Sequence, residues 1–165
     1  MDRTAPEVHV PAWAVWASLV VCVLGLLVAA YLTFEHYTES TTLACSESAT
    51  INCLKVTTSP YADVFGIPFA VLGVVYFAGM GLLCLPAAWR RPGRPLRALR
   101  VAGAVVGVLT ALYLVWVELF RLDAICLYCT GVHVLTFVLF VVVALGSAAI
   151  VEETLASERE YDGST

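Results

Sequence analysis

Charge is what this sequence has least of. Only 13% of its 165 residues are charged, histidine occurs three times, and lysine occurs once, at Lys55. A chain that is 61% hydrophobic with so little charge is too apolar for a soluble domain of this length, and it has no basic face with which to track a nucleic acid. Its net charge of −4 says little about partners, because the charges are confined to tails and loops. Low-complexity linkers, internal repeats and a second domain are also missing, so one domain is expected. Strands are not expected, since open sheet edges cannot be satisfied in lipid. What is present is four apolar runs, at residues 13–32, 68–88, 101–120 and 131–151, each near the roughly 20 residues that a transmembrane helix needs. The fold class implied is an all-α membrane protein, a four-transmembrane-helix bundle lying in the lipid bilayer.

The few cations orient it. Arg90, Arg91, Arg94, Arg97 and Arg100 fill the connection between the second and third runs, whereas the first loop carries only Lys55 and the third connection only Arg121. Short Arg-rich loops stay cytoplasmic, so that loop and both termini are expected inside. The first run is long and Val28-Ala29-Ala30 is a weak cleavage site, so an uncleaved helix rather than a signal peptide is expected. The domain reading is a cytoplasmic tail at 1–11, the membrane domain at 12–151, and a disordered cytoplasmic tail at 152–165. Within the long polar loop at about 33–67, Ser59-Pro60 reads as an N-cap followed by proline at the first helical position. A short interfacial helix over 60–65 is expected there, with Tyr61, Val64 and Phe65 on the membrane surface. Gly103 and Gly107 form a small-xxx-small pair that lets helices approach closely.

Six cysteines carry the chemistry. Cys126-Leu-Tyr-Cys129 lies between the third and fourth runs, at the rim of the membrane. At a helix N-terminus the first sulfur lies near unsatisfied N–H groups, which favours the thiolate. Cys126, Cys129 and His133 share one face, continued by Phe137 and Phe140. Cys45 and Cys53 lie in the polar loop on the same, extracytoplasmic side, where disulfides persist. They read either as a structural staple of the loop or as a mobile shuttle pair that passes electrons inward by thiol–disulfide exchange. The four cysteines could also supply a metal site, but no metal is expected. Cys22 and Cys84 lie inside spans and are assigned no role. His133 reads either as a donor to a carbonyl ligand or as a histidine satisfied by backbone. Glu118, Arg121 and Asp123, at the exit of the third run, read as solvated charges, and Glu35 and His36 are ambiguous.

Together these residues resemble the vitamin K epoxide reductase family, in particular its bacterial quinone-dependent members. The resemblance runs through Tyr31-Leu32-Thr33, Cys45-(x)7-Cys53, Lys55-Val56-Thr57-Thr58-Ser59-Pro60-Tyr61-Ala62, Phe65-Gly66-Ile67-Pro68, Gly73, Tyr76-Phe77 and Cys126-Leu-Tyr-Cys129, over roughly residues 12–151. It implies a helix bundle around a quinone, menaquinone or ubiquinone. In the family's arrangement Cys45 faces the partner, Cys53 exchanges with Cys126, Cys129 faces the quinone, and Ser59 assists near the active site. The quinone contacts expected are Cys129, His133, Phe137, Phe69 and Tyr76. Many bacterial members carry a fused thioredoxin-like domain; with the chain ending at Thr165, a separate thioredoxin-fold (DsbA-like) thiol oxidase is the expected partner. Animal members have an asparagine near the start of the second helix, where this chain has Ile67-Pro68-Phe69-Ala70, which favours quinone over epoxide. Eight arginines against one lysine suggest a GC-rich bacterial genome and hence a bacterial inner membrane. The function expected is a thiol oxidoreductase that drives disulfide formation. One alternative is a vitamin K epoxide or quinone reductase of the endoplasmic reticulum. Another is a non-enzymatic assembly factor with a structural loop disulfide. An impermeant thiol reagent applied to reduced intact cells or spheroplasts is expected to label Cys45 and Cys53; labelling only after permeabilisation would overturn the orientation.

Overall fold

The computed structural model describes residues 10–38, 50–90 and 94–162. Cys45, most of the N-terminal tail and the residues around Arg91 lie outside the described residues. Among the described residues, three helices are long and apolar enough to cross a membrane, over Ala12–Thr38, Arg94–Leu122 and Leu127–Glu153. A fourth apolar helix, Phe69–Leu83, has 15 residues, about 22 Å at roughly 1.5 Å per residue, short of the approximately 30 Å hydrocarbon core.

In chain order, helix α1 is Ala12–Thr38, α2 is Cys53–Thr57, and strands β1 and β2 are Asp63–Val64 and Ile67–Pro68. Then come α3 (Phe69–Leu83), α4 (Pro86–Arg90), α5 (Arg94–Val117), a π-helical turn at Glu118–Leu122, and α6 (Leu127–Asp162). Helix α1 runs six residues past the end of its apolar run, because nothing from Thr33 to Thr38 breaks a helix. Helix α3 begins directly after Pro68, whose extended backbone forms its cap, and Pro86 opens α4 at the position where a missing N–H costs nothing.

Two expectations for the ends and the loop are corrected. The short helix of the loop is α2, not residues 60–65. Asn52 caps it, its side-chain oxygen accepting the N–H of Lys55 at 2.8 Å, so helix forms before Ser59 rather than after it. The Ser59 hydroxyl instead donates back to the Val56 carbonyl at 2.9 Å. Beyond it the chain makes a small antiparallel hairpin in which Val64 faces Ile67 and Asp63 faces Pro68. Its two turn residues, Phe65 and Gly66, both have positive φ, 53° and 79°, the geometry of a tight hairpin turn. So strands do occur, as one two-stranded hairpin among the described residues. The second correction is the tail: α6 continues through Asp162 where disorder was expected from residue 152. Glu152 to Tyr161 contains neither glycine nor proline, and its Glu, Leu, Ala and Arg residues favour helix.

Helix α1 packs against α3 and α6, and α5 against α6. Small residues set how closely the side chains of one helix approach another. Phe77 lies over Gly25, Tyr76 over Gly107, and Met80 against Gly103. The Gly103/Gly107 pair thus receives α3 side chains within the bundle. Toward the far end of α3, the buried Arg100 donates to the Leu83 carbonyl at 2.9 Å and lies 3.7 Å above the Trp89 ring. It thereby satisfies an open carbonyl at the end of α3.

The Gly107 contact is testable. A methyl group at Gly107 would collide with the Tyr76 ring and hydroxyl, whereas one at Gly79 would meet nothing within 4 Å. Gly107→Ala is expected to lower the Tm of the detergent-solubilised protein, at a cost of about 1–3 kcal/mol for overpacking. Gly79→Ala is expected to leave it unchanged or raise it slightly.

Candidate functional site

The loop is tied to the start of α6 through its backbone. Ile51 pairs with Ile125 in a parallel bridge: the Ile125 N–H donates to the Thr50 carbonyl at 2.9 Å, and the Asn52 N–H donates to the Ile125 carbonyl at 3.1 Å. The connection before α6 is shaped to reach that position. After the π-helical turn, Asp123 adopts the left-handed conformation, φ 46°, and the Ala124 N–H closes back on the Glu118 carbonyl at 3.2 Å.

The consequence is a cluster at the base of the loop. Cys53, Val56, Ala124 and Cys126 are buried together, with Leu122, Tyr128 and Cys129 packed against them. Cys53 is disulfide-bonded, while Cys126 and Cys129 carry free thiols. Cys126 stands one residue before the first turn of α6 and acts as its cap: its sulfur accepts the Cys129 N–H at 3.2 Å. Hydrogen bonds from the Cys129 thiol and from the Cys129 and Tyr128 N–H groups pull the Cys126 thiol below its ordinary range, against the opposing effect of burial. Those donors favour the charged form of its sulfur.

Cys129, one turn further on, opens onto a cavity between α1, α3, α5 and α6, roofed by the loop. Its empty space is about 750 Å³, open mouth included. The walls are mainly apolar, with Leu32, Phe69, Leu114 and Val132 among them. The polar groups on the walls include Ser59, Glu118, Cys129 and His133. His133 is only 5% exposed, and its Nδ1 has no hydrogen-bond partner. That orphaned nitrogen is the kind of group a bound carbonyl would satisfy.

The structure brings Cys129, His133, Phe69 and Ser59 to this cavity, with Cys53 and Cys126 stacked behind it. Phe137 and Tyr76 are not on its walls. The Tyr76 ring packs on Gly107 instead, and its buried hydroxyl has no partner. Cys45 lies outside the described residues. Among the described residues, no group of three or more His, Cys, Asp or Glu could hold a metal ion. Cys22 and Cys84 hydrogen-bond to each other across α1 and α3, at the far end of α3 from Phe69.

Glu118 is the residue whose place differs most from its sequence reading. Read as a solvated charge, it is 5% exposed, lines the cavity, and accepts the backbone N–H of Cys126. The signal that could have found it is the stripe of Ala104, Gly107 and Ala111, all buried. Stepping seven residues on from Ala111 along that face reaches Glu118.

The sequence model of the vitamin K epoxide reductase family matches residues 16–144, well over half of the chain. All the residues that line the cavity fall inside that match. The thiols and cavity therefore sit in a membrane oxidoreductase, and the chain belongs to the vitamin K epoxide reductase family.

Proposed function

We propose that this oxidoreductase takes electrons from an extracytoplasmic thioredoxin-fold partner through Cys45 and Cys53, then Cys126 and Cys129, and delivers them to a membrane quinone, so driving disulfide formation. The observation that carries this reading is the burial of Cys53 and Cys126 in one cluster, with Cys129 opening from it onto an apolar cavity. Thiol–disulfide exchange needs an attacking sulfur beside the disulfide it opens, and this cluster supports such an approach.

The exchange balances on the chain's own sulfurs. The partner's dithiol reduces the loop disulfide. The Cys53 thiolate then attacks Cys126 in a Cys126–Cys129 disulfide, and Cys129 leaves as a thiolate. Cys45 next attacks Cys53 in the mixed disulfide and frees Cys126. The loop pair ends oxidised and the membrane pair reduced. The observed bonding, with Cys53 in a disulfide and Cys126 and Cys129 free, matches that end state.

The cavity suits a quinone head, with Phe69, Leu114 and Val132 as apolar walls and His133 Nδ1 free for a carbonyl oxygen. A quinone bound there supplies an acceptor for two electrons and two protons. The contribution of the α3 end is Pro68, Phe69, Ala70 and Gly73, apolar throughout, which favours quinone over the epoxide alternative. Ser59 stands on the wall beside these residues, where it assists at the loop side of the site.

The proposed placement is a bacterial inner membrane crossed by all four apolar helices. Helix α4 (Pro86–Arg90) follows α3 after the break at Cys84 and Leu85, and together they make up the second span. The Arg-rich connection and both termini then face the cytoplasm, and the cavity and its cysteines face outward.

Cys45→Ala is expected to block oxidation of a thioredoxin-fold protein while leaving quinone reduction by a small dithiol partly intact; Cys129→Ala is expected to abolish both. Equal loss from the two, read by quinone absorbance and by thiol content of the partner, would remove the division of roles. In a Cys45→Ala/Cys129→Ala variant, a Cys53–Cys126 disulfide is expected to accumulate, since neither end retains its resolving thiol. Proteolysis between the two halves followed by a non-reducing gel reads it: fragments that separate freely would rule out the direct exchange.

A further inference from the structure

Glu118 is the one carboxylate on the cavity wall among the described residues. Burying a carboxyl at the rim of a membrane is costly, and its hydrogen bond to the Cys126 N–H ties it to the residue whose sulfur reacts. A second feature marks the same place: the helix changes from α to π at Glu118, an insertion that recurs at functional sites. The other titratable groups on the walls are His36 of α1, Tyr61 of the loop, and Cys129 and His133 of α6. Cys126 lies behind them, and Arg121, on the π-helical turn itself, is exposed.

We propose that Glu118 carries protons from the Cys126/Cys129 dithiol to the acceptor in the cavity, a role that rests on reading the site as a quinone-reducing dithiol. As the Cys126–Cys129 bond forms, the two thiols give up two electrons and two protons, and the quinone takes up both. Glu118, holding a proton, gives it to an acceptor oxygen and is reprotonated by one thiol, then repeats this with the second, and ends in its starting state. Glu118 lines the cavity together with Cys129 and is bonded to the backbone of Cys126, so it adjoins both cysteines and the space an acceptor would fill. His133, with its free Nδ1, orients the acceptor rather than carrying the proton.

The test uses the full-length solubilised protein, a small dithiol as donor and a short-chain quinone as probe. Glu118→Gln keeps an oxygen to accept the Cys126 N–H but cannot carry a proton. It is expected to lower kcat for quinone reduction about 100-fold or more, in line with loss of a general acid–base group, with KM changed less than about twofold and Glu118→Asp restoring part of the rate. A second readout needs no quinone. Infrared difference spectra taken on reducing the Cys126–Cys129 disulfide with the dithiol are expected to show the protonated-carboxyl band of Glu118 displaced as the nearby bond becomes two thiols, a band that shifts in D₂O and is absent from Glu118→Gln.

Quinone reduction by Glu118→Gln at the wild-type rate, or a carboxyl band that survives the substitution, would overturn the inference. Equal loss of the dithiol's exchange with a small disulfide would do so as well, because it would make Glu118 structural. If wild-type protein itself reduces no quinone, the proposed function falls and this inference with it; if wild type and Glu118→Gln reduce it alike, only the inference falls.

Discussion

Two backbone hydrogen bonds, between Thr50, Asn52 and Ile125, are the constraint on which the rest of the site depends. They set the register of the cysteine loop against the start of α6. Each is worth about 1 kcal/mol net, so the bridge alone holds the loop weakly. The burial of Cys53 and Val56 against Ala124 and Cys126 adds to it, at roughly 25 cal/mol per Å² of apolar surface removed from water. The bridge supplies register and the cluster supplies most of the attachment. Because the Cys53 sulfur sits on a one-turn helix capped by Asn52, the loop arrives at α6 with a defined face rather than as an irregular strand of chain.

The same geometry sets the chemistry of the inner pair. Cys126 occupies the place usually held by an oxygen-bearing cap, and its sulfur takes the Cys129 N–H. A thiol serving as a cap shares the hydrogen bonds that favour its charged form. Cys129, inside the helix, faces the apolar cavity. Two cysteines three residues apart thus occupy different environments, one toward the loop and the other toward the apolar cavity. Glu118 and His133 add a carboxyl and an imidazole to the same wall, each 5% exposed. At the opposite end of the bundle, Arg100 is satisfied by a helix-end carbonyl and an aromatic face, a packing solution with no opening toward the cavity.

Much of the fold was legible because the solvent imposes it. A run of about 20 apolar residues has few options in a bilayer, so the three long spans, the proline-marked ends of α3 and the inward-facing Gly103 and Gly107 could be read directly. The loop was less legible. Ser59-Pro60 is a good local start signal for a helix, but Asn52 is also one, and the bridge to Ile125 favours the earlier start. Phe65-Gly66 then serves a hairpin, a choice made by pairing between residues rather than by local preference. The helical tail was missed because its charges suggested solvation, although its residues are good helix formers.

The sequence by itself determined that the chain is a helical membrane protein with a dithiol at the start of its last span and a family resemblance that the match over residues 16–144 bears out. Composition, run length and the spacing of Cys126 and Cys129 are local properties, and a chain in lipid must respect them wherever it folds. Only the tertiary structure decided which side chains meet. It put Cys53 and Cys126 in one buried cluster, left His133 Nδ1 without a partner, turned Tyr76 onto Gly107 and away from the cavity, and moved Glu118 from an apparent surface position to the cavity wall. The physical reason is that each of these depends on register between helices and on one π-helical turn. A shift of a single residue there rotates a side chain by about 100°, and no local pattern records it.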